Sequence, residues 1–256
     1  MIDLHSHVLP GIDDGARTTQ DSIAMLDAFA AQGFHTVAAT PHLTGRWRPE
    51  YVAHIDRAFA GIEPLAQARG ITLVRWFEIQ LDPGTAGQMT GDMPVALGGT
   101  DIVLVDLPFT EWPLYADAAL FAVRAAGYRV ILAHPERYPG IQDDPGKASE
   151  LVEHGIALQV TIGSFSGIFG KAARKSAEEL LARGLVHLVA TDAHSTGSRM
   201  AAVPAGLARL RQLAGEDGLR QLTTDAPAAI LANAPFPKPV RPTPRPWHTR
   251  LAFWRP

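Results

Sequence analysis

The 256-residue chain is 46% hydrophobic and 19% charged, a globular composition that rules out disorder, collagen and coiled coil and suffices for one sizeable core. It has no cysteine and ten histidines, which excludes disulfides, cysteine-held zinc or iron–sulfur centres and any thiolate nucleophile. The formal charge is −3, yet residues 234–256 hold five basic residues and no acid, leaving 18 − 26 = −8 for residues 1–233, a balance unsuited to nucleic acid.

Short apolar runs alternate with helical periodicity along the chain. Strands are predicted at Ile2–His5, Thr36–Ala39, Thr72–Glu78, Ile102–Asp106, Val130–Ala133, Ala157–Val160 and Val186–Ala190. Helices are predicted over Thr19–Gln32, Pro49–Ala68, Ala116–Ala126, Lys147–His154, Ala172–Ala182 and Val203–Ala214. Thr18 with Asp21 resembles a capping box for the first, with Ile23, Leu26 and Phe29 as its apolar stripe. Gly33, Gly70, Gly127, Gly155 and Gly184 each follow a helical segment and precede a strand, as C-terminal caps do. Seven βα units predict a parallel sheet. Polar residues at the carboxyl ends of six strands favour a closed barrel, which gathers those ends on one rim, over an open sheet with a single switch point. From Ala234 prolines recur every two or three residues, so the tail reads as extended chain leading to Trp247, Phe253 and Trp254. No run reaches the ~18 to 20 apolar residues of a membrane helix, and the N-terminus lacks the basic and apolar regions of a secretory signal. The expected location is the cytoplasm.

The candidate chemistry lies just beyond the strands. His5 and His7 alternate on one strand end, so both rings reach one side of the backbone. Asp13-Asp14 come after the same strand, and Thr40-Pro41-His42, Glu78, Asp106, Ala133-His134-Pro135-Glu136-Arg137 and Thr191-Asp192-Ala193-His194 stand at or just beyond the ends of other strands. Five imidazoles and four carboxylates emerge: His5, His7, Asp14, His42, Glu78, Asp106, His134, Asp192 and His194. They exceed one zinc centre and suit two or three divalent ions acting together in hydrolysis. Manganese is the first expectation, with Fe or Zn²⁺ admissible, because mixed imidazole and carboxylate ligands suit all three.

The blocks Asp3-Leu4-His5-Ser6-His7, Pro10-Gly11-Ile12-Asp13-Asp14-Gly15, Ala39-Thr40-Pro41-His42, Leu132-Ala133-His134-Pro135-Glu136-Arg137-Tyr138 and Ala190-Thr191-Asp192-Ala193-His194, with Arg199 after them, resemble the polymerase-and-histidinol-phosphatase (PHP) superfamily. Within it they are most similar to the bacterial capsular and exopolysaccharide tyrosine-protein phosphatases, in order from Ile2 to about Leu231. The resemblance implies a distorted (β/α)7 barrel, a trinuclear site with the same nine ligands, and Arg137 and Arg199 as phosphate-binding arginines. The leaving phenolate, with a pKa of about 10, needs little help from an acid, and His42 or His194 is the expected, dispensable assistant. It implies action on a phosphotyrosine-bearing kinase of polysaccharide assembly, and a single PHP-like domain over 1–233 with a Pro/Arg-rich tail over 234–256. Asp106 stands where the family commonly has the longer Glu, which bears on one metal position. Thr161 to Lys171 resembles the family's glycine-rich loop, with Gln159 before it.

Other readings stay open at this level. A small-molecule phosphoesterase of the histidinol-phosphate type or a non-catalytic metal-binding scaffold would use the same residues. A barrel amidohydrolase shares the His-x-His signature, but Lys147, Lys171, Lys175 and Lys238, the only lysines, stand at no strand end. Arg46, Trp47 and Arg48 form either a phosphotyrosine cleft or a solvated loop. Thr161, Ser164 and Ser166 suit either a phosphate or turn chemistry. His35, His54, His154, His187 and His248 fall outside the strand-end pattern and read as structural.

Overall fold

The alternation of apolar runs and helical stripes produces parallel strands buried on both faces. The computed structural model describes residues 1–44, 48–89, 95–109 and 112–242, apart from the Ala86 side chain. Arg46, Trp47 and the tail from 243 onward, His248 included, lie outside the described residues. The strands are β1 (Ile2–Ser6), β2 (Thr36–Ala39), β3 (His42–Leu43), β4 (Thr72–Arg75), β5 (Glu78–Gln80), β6 (Ile102–Asp106), β7 (Arg129–Ala133), β8 (Ala157–Thr161) and β9 (Leu188–Ala190). Between them run α1 (Thr19–Ala31), α2 (Pro49–Gln67), α3 (Pro83–Gln88), α4 (Ala116–Ala125), a 3-10 turn (Pro135–Arg137), α5 (Pro139–Asp143), α6 (Gly146–Glu153), α7 (Ile162–Ser166) and α8 (Gly170–Ala182). Helices α9 (Ser198–Ala201) and α10 (Val203–Arg220), a π turn (Gln221–Asp225) and α11 (Ala226–Leu231) complete the fold.

One of the seven expected strands, Thr72–Glu78, is interrupted, and a short unforeseen strand β3 follows the expected Thr36–Ala39, giving one sheet in the order β1-β2-β4 and another in the order β3-β5-β6-β7-β8-β9, with neighbouring strands parallel throughout. The strand expected over Thr72–Glu78 breaks where Trp76 and Phe77, both fully buried, turn their bulk into the core. Its neighbour breaks at Thr40-Pro41, where proline offers no N–H to a ladder. Trp76 N–H still bonds Ala39 O at 3.0 Å and Glu78 N–H bonds Pro41 O at 3.2 Å, so the two breaks sit side by side. The ring closes between the first and last strands: Ser6 pairs with Ala193, His7 N–H donates to Ala193 O and Asp192 N–H to His5 O, both at 2.9 Å. The fold is therefore a seven-unit parallel α/β barrel, distorted by those breaks.

Both faces of the strands are apolar, as a parallel sheet covered by helices requires. Val103, Val105, Val130 and Leu132 pack in one cluster with Leu120 and Val123 of α4. Ile102, Leu104, Ile131 and Ala133 pack in the other with Trp76, Leu188 and Ile230. The α1 capping box is formed as expected, although Met25 rather than Ile23 joins Leu26 and Phe29 among its buried residues. All five C-terminal glycines have φ between 68° and 95°, the left-handed region that costs glycine least. Helix α10 runs past the expected Ala214 through Gly215, whose φ of 75° breaks the helical geometry without ending the element. Residues 234–242 have no regular structure but pack on the barrel: Val240 is buried with its N–H on Val186 O at 3.1 Å, and Arg129 donates to Ala234 O at 2.6 Å.

Candidate metal centre and its relatives

The barrel brings all nine sequence-predicted ligands together on one rim. Four overlapping groups arise whose ligand atoms lie within 4.8 Å of one another: His7, Asp14, His42 and His194; His5, Glu78 and His134; His5, His7 and Asp192; and His42, Glu78 and Asp106. Glu78 is the hub. Its Oε2 lies 3.1 Å from His5 Nε2, 3.2 Å from His7 Nε2 and 3.1 Å from His42 Nδ1, while Oε1 lies 2.9 Å from His134 Nε2. Asp14, largely exposed, reaches in so that Oδ1 is 3.4 Å from His42 Nε2 and 3.2 Å from His194 Nε2. Asp106, although the shorter acid, falls within the same reach of His42 and Glu78.

Two ligand positions are strained. His134 (φ 38°) and Asp192 (φ 51°) are non-glycine residues in the left-handed region, a conformation costing of order 1–3 kcal/mol that clusters at functional sites. Each stands where the chain leaves a strand and must turn a ligating side chain over the rim. Asp3 helps hold that turn by accepting from Thr191 N–H at 3.1 Å, from the Thr191 hydroxyl and from His5 N–H at 3.2 Å. Burial pushes its carboxyl up to about 6.

The donor set fits divalent cations. Asp13 Oδ2 accepts from His7 Nδ1 at 2.8 Å, so His7 turns the lone pair of Nε2 inward. Gln159 Oε1 does the same for His5 Nδ1 at 2.7 Å. The two Nε2 atoms then face each other at 3.4 Å with Glu78 Oε2 beside them, acceptors converging on acceptors. Glu78 Oε2, Asp106 Oδ1 and His134 Nδ1 have no hydrogen-bond partner among the described residues, a costly state for buried polar atoms. The charges agree. Burial and the neighbouring Glu78 carboxylate push Asp106 up to about 8. Burial alone would lower His7, yet Asp13, Asp192 and Glu78 hold it well above its ordinary value. The pocket holds more carboxylate than it can ionise unaided and calls for positive charge. His194, by contrast, is lowered to about 4 by burial and by His7, and His134 is lowered by burial.

Both predicted arginines face the cluster. Arg137 Nη1 lies 2.8 Å from Asp192 Oδ2, and Arg199 Nη1 lies 2.6 Å from both Asp192 Oδ1 and the Asp192 carbonyl. Despite burial, His5, His7, Arg199 and His134 hold the Asp192 carboxyl far below the usual range. Of the serine and threonine candidates at and after the end of β8, the Ser164 and Ser166 side chains make structural bonds and that of Thr161 does not. Ser164 Oγ donates to buried Glu136 Oε1 at 2.6 Å, Ser166 Oγ to Gly163 O at 2.7 Å, and Thr161 Oγ1 is buried without a partner among the described residues. The Thr161 to Lys171 segment is helix α7 closed by Gly167 (φ 89°), followed by the start of α8. Arg48 is exposed at the start of α2. His187 is structural: its Nδ1 accepts from Leu158 N–H at 3.1 Å.

Sequence reasoning did not assign roles to Asp13 and Gln159, which orient His7 and His5, or notice Phe109 and Phe169 at the mouth. Nothing in an Asp-Asp pair says which member ligates and which orients, and a phenylalanine beside a strand end carries no signal until the fold places it.

The family profile described as "Capsular polysaccharide synthesis, CpsB/CapC" matches residues 1–232. The chain belongs to the CpsB/CapC family. It is 32% identical over 247 residues to the tyrosine-protein phosphatase YwqE of Bacillus subtilis, covering 96% of this chain and 97% of that protein. It is 24% identical over 238 residues to the tyrosine-protein phosphatase CpsB of Streptococcus pneumoniae, covering 90% and 98%. A solved structure from the pair described as YwqE and CpsB, "unique metal-dependent tyrosine phosphatases", superposes with a TM-score of 0.80 at 31% identity, covering 96% of this chain and 100% of that one. An organophosphorus hydrolase variant from Deinococcus radiodurans, at 14% identity and a TM-score of 0.54, shares the barrel alone. As a CpsB/CapC member, the chain places its candidate ligand clusters in a family whose solved representatives are metal-dependent. No helix among the described residues is long and apolar enough to cross a membrane.

Proposed function

We propose that this chain is a metal-dependent protein-tyrosine phosphatase in which His5, His7, Asp14, His42, Glu78, Asp106, His134, Asp192 and His194 hold two or three divalent ions. Mn²⁺ is the first choice, with Fe or Zn²⁺ admissible on the same ligands. The observation that carries the reading is the convergence of these nine side chains on one rim with both arginines turned onto the same carboxylate. Such ions, when bound, supply an activated water at neutral pH and offset the charge of the phosphate. A chain without cysteine has no thiolate to take that role.

The protein's own groups do the rest. Asp192 anchors one end of each guanidinium and leaves the remaining N–H groups of Arg137 and Arg199 to hold phosphate oxygens, a fixed donor pattern suited to the charge of an in-line displacement. A tyrosine phosphate releases a phenolate with a pKa near 10, so its leaving oxygen needs little proton assistance. Of the partly exposed rim imidazoles His42 and His194, His42 is the one placed to hold a proton there, since His194 is lowered to about 4. Gln159 and Asp13 keep the inner rings in one orientation. No covalent enzyme intermediate forms.

The catalytic unit spans residues 1–233 and residues 234–256 are an appendage to it. The substrate is a phosphotyrosine-bearing tyrosine kinase of capsular or exopolysaccharide assembly, met in the cytoplasm. These assignments are supported by the family membership and by the relatives' activity. The test is phosphate release from a tyrosine-phosphorylated peptide, paired with elemental analysis of the purified chain. Activity lost on chelation and restored by Mn²⁺, Fe or Zn²⁺ supports the reading. Fewer than two ions per chain after supplementation refutes the multinuclear site, and hydrolysis of histidinol phosphate without hydrolysis of the peptide refutes the substrate.

A further inference from the structure

The mouth of the site carries apolar surface that metal binding does not explain. Phe109, three residues past the end of β6, is 47% exposed beside a polar pocket. Its ring stacks on Tyr138 at 5.6 Å between centroids and lies 4.9 Å from the ring of His134. Phe169 stands on the other side of the chain's path, immediately before α8. The Arg137 guanidinium carbon lies 4.2 Å from the Phe109 centroid and 4.4 Å from that of Phe169, and Arg199 lies 5.5 Å from Phe169. Phe109, Arg137, Gln142, Phe169 and Ala173 together line an open recess of about 310 Å³.

We propose that this recess is an aryl-binding subsite, in which Phe109 and Phe169 receive the ring of an aromatic phosphate ester whose phosphate rests on Arg137 and Arg199. The inference rests on the phosphatase reading above and names how that site tells an aryl ester from an alkyl one. The same guanidinium that turns toward Asp192 packs its face on both phenyl rings, so a phosphate held by that arginine places its ester substituent beside the phenylalanines. A flat ring one ester oxygen away gains offset or edge contacts with exposed Phe109 and displaces water from it. The methylene of a phosphoserine brings only its own small area and a polar backbone. Tyr138 secures the wall: its hydroxyl accepts from Leu107 N–H at 2.9 Å, fixing the strand end that carries Phe109. The competing account gives the two rings only the task of stiffening Arg137 through cation–π contact. That account predicts equal losses for every phosphate ester.

The experiment uses the full, metal-loaded chain and its Phe109→Ala and Phe169→Ala variants, with Phe109→Trp as the conservative replacement. Equilibrium binding of benzylphosphonate is compared with that of ethylphosphonate, and kcat/KM for a phosphotyrosyl peptide with that for its phosphoseryl counterpart. The subsite predicts that the aryl-to-alkyl binding ratio falls about tenfold in each alanine variant, the size of one lost aromatic contact with its area, and returns in Phe109→Trp. Melting temperature and metal content, read on the same samples, report folding and loading. Equal falls for both phosphonates, an unchanged ratio, or no aryl preference in the unmutated chain overturn the subsite. An aryl preference in binding without phosphate release from the tyrosyl peptide sustains the subsite and defeats the phosphatase reading instead.

Discussion

Replacing Gly15 with alanine is expected to disable the site while leaving the barrel folded. A Cβ at Gly15 would lie 2.1 Å from the His7 carbonyl oxygen and 2.4 Å from His7 Cβ, about 1 Å inside the closest approach that van der Waals repulsion tolerates. Gly15 is not in the left-handed region, so close approach rather than backbone freedom demands the glycine. The contact cannot be relieved by rotating a side chain, because the clashing atoms belong to the backbone and first carbon of His7. The loop must move as a unit, since Ala16 N–H holds His7 O at 3.0 Å and Gly11 N–H holds Ala16 O at 2.8 Å. Gly15 N–H also bonds Asp13 Oδ1 at 2.9 Å, and Asp13 in turn orients His7 and accepts from His42 N–H at 3.1 Å. A displacement near 1 Å therefore reaches His7, Asp14 and His42 together, and misplacement of that size typically costs about 10²-fold in rate. Overpacking adds about 1–3 kcal/mol of destabilisation, or roughly 2–12 °C in Tm for a chain of this size. The assay is kcat on a phosphotyrosyl peptide, with metal content and Tm read in parallel. Gly33→Ala is the control. Its φ of 83° costs about 1–2 kcal/mol but its Cβ would meet nothing within 4 Å, so Tm falls while turnover and metal content hold. Wild-type kcat and metal stoichiometry in Gly15→Ala would refute the reasoning.

Chelation should abolish phosphate release and alkylation of thiols should leave it unchanged, the chain having no cysteine; a chelated preparation working at full rate ends the metal mechanism. His134→Ala and Asp192→Ala should remove turnover, whereas Arg137→Ala and Arg199→Ala should lower kcat/KM by about 10- to 1000-fold, the loss of one positioned charge. His187 is lowered to about 4 by burial, so the unfolded chain binds its proton first as pH falls. This stabilising term is intact above about 6.5 and is lost as pH falls toward about 4, with about 2 kcal/mol gone by pH 5. Urea denaturation at pH 7 and 5 should show a smaller loss in His187→Gln than in the native chain, and parallel losses would contradict the assignment. Truncation after Asn233 should keep turnover, since no candidate site residue lies beyond it. It should lower Tm, because the buried Val240 and its bond to Val186 are removed, and loss of activity in folded protein would reassign the tail.

What the amino-acid sequence determined by itself is the part of the protein written in local pattern. The seven βα units follow from apolar runs and helical stripes, the helix ends from glycines at left-handed positions, and the nine candidate ligands from polar residues standing where apolar strands stop. A barrel rim converts the last pattern into a cluster, and for that reason residues as distant as His5 and His194 were legible as partners. The tertiary structure alone decided features that depend on what crosses from one strand to the next. Trp76 and Phe77 look continuous with the strand expected over Thr72–Glu78, and only the gap at Thr40-Pro41 beside them shows that the sheet divides there. Asp13 and Asp14 are chemically alike in sequence, and only the loop's path sends one behind His7 and the other between His42 and His194. The left-handed turns at His134 and Asp192 arise from the need to aim ligands across the rim, a constraint absent from local propensity. Phe109 and Phe169 meet Arg137 only because β6, the turn after β7 and the start of α8 converge. Contacts between distant segments depend on closure of the barrel, and no window of neighbouring residues encodes them.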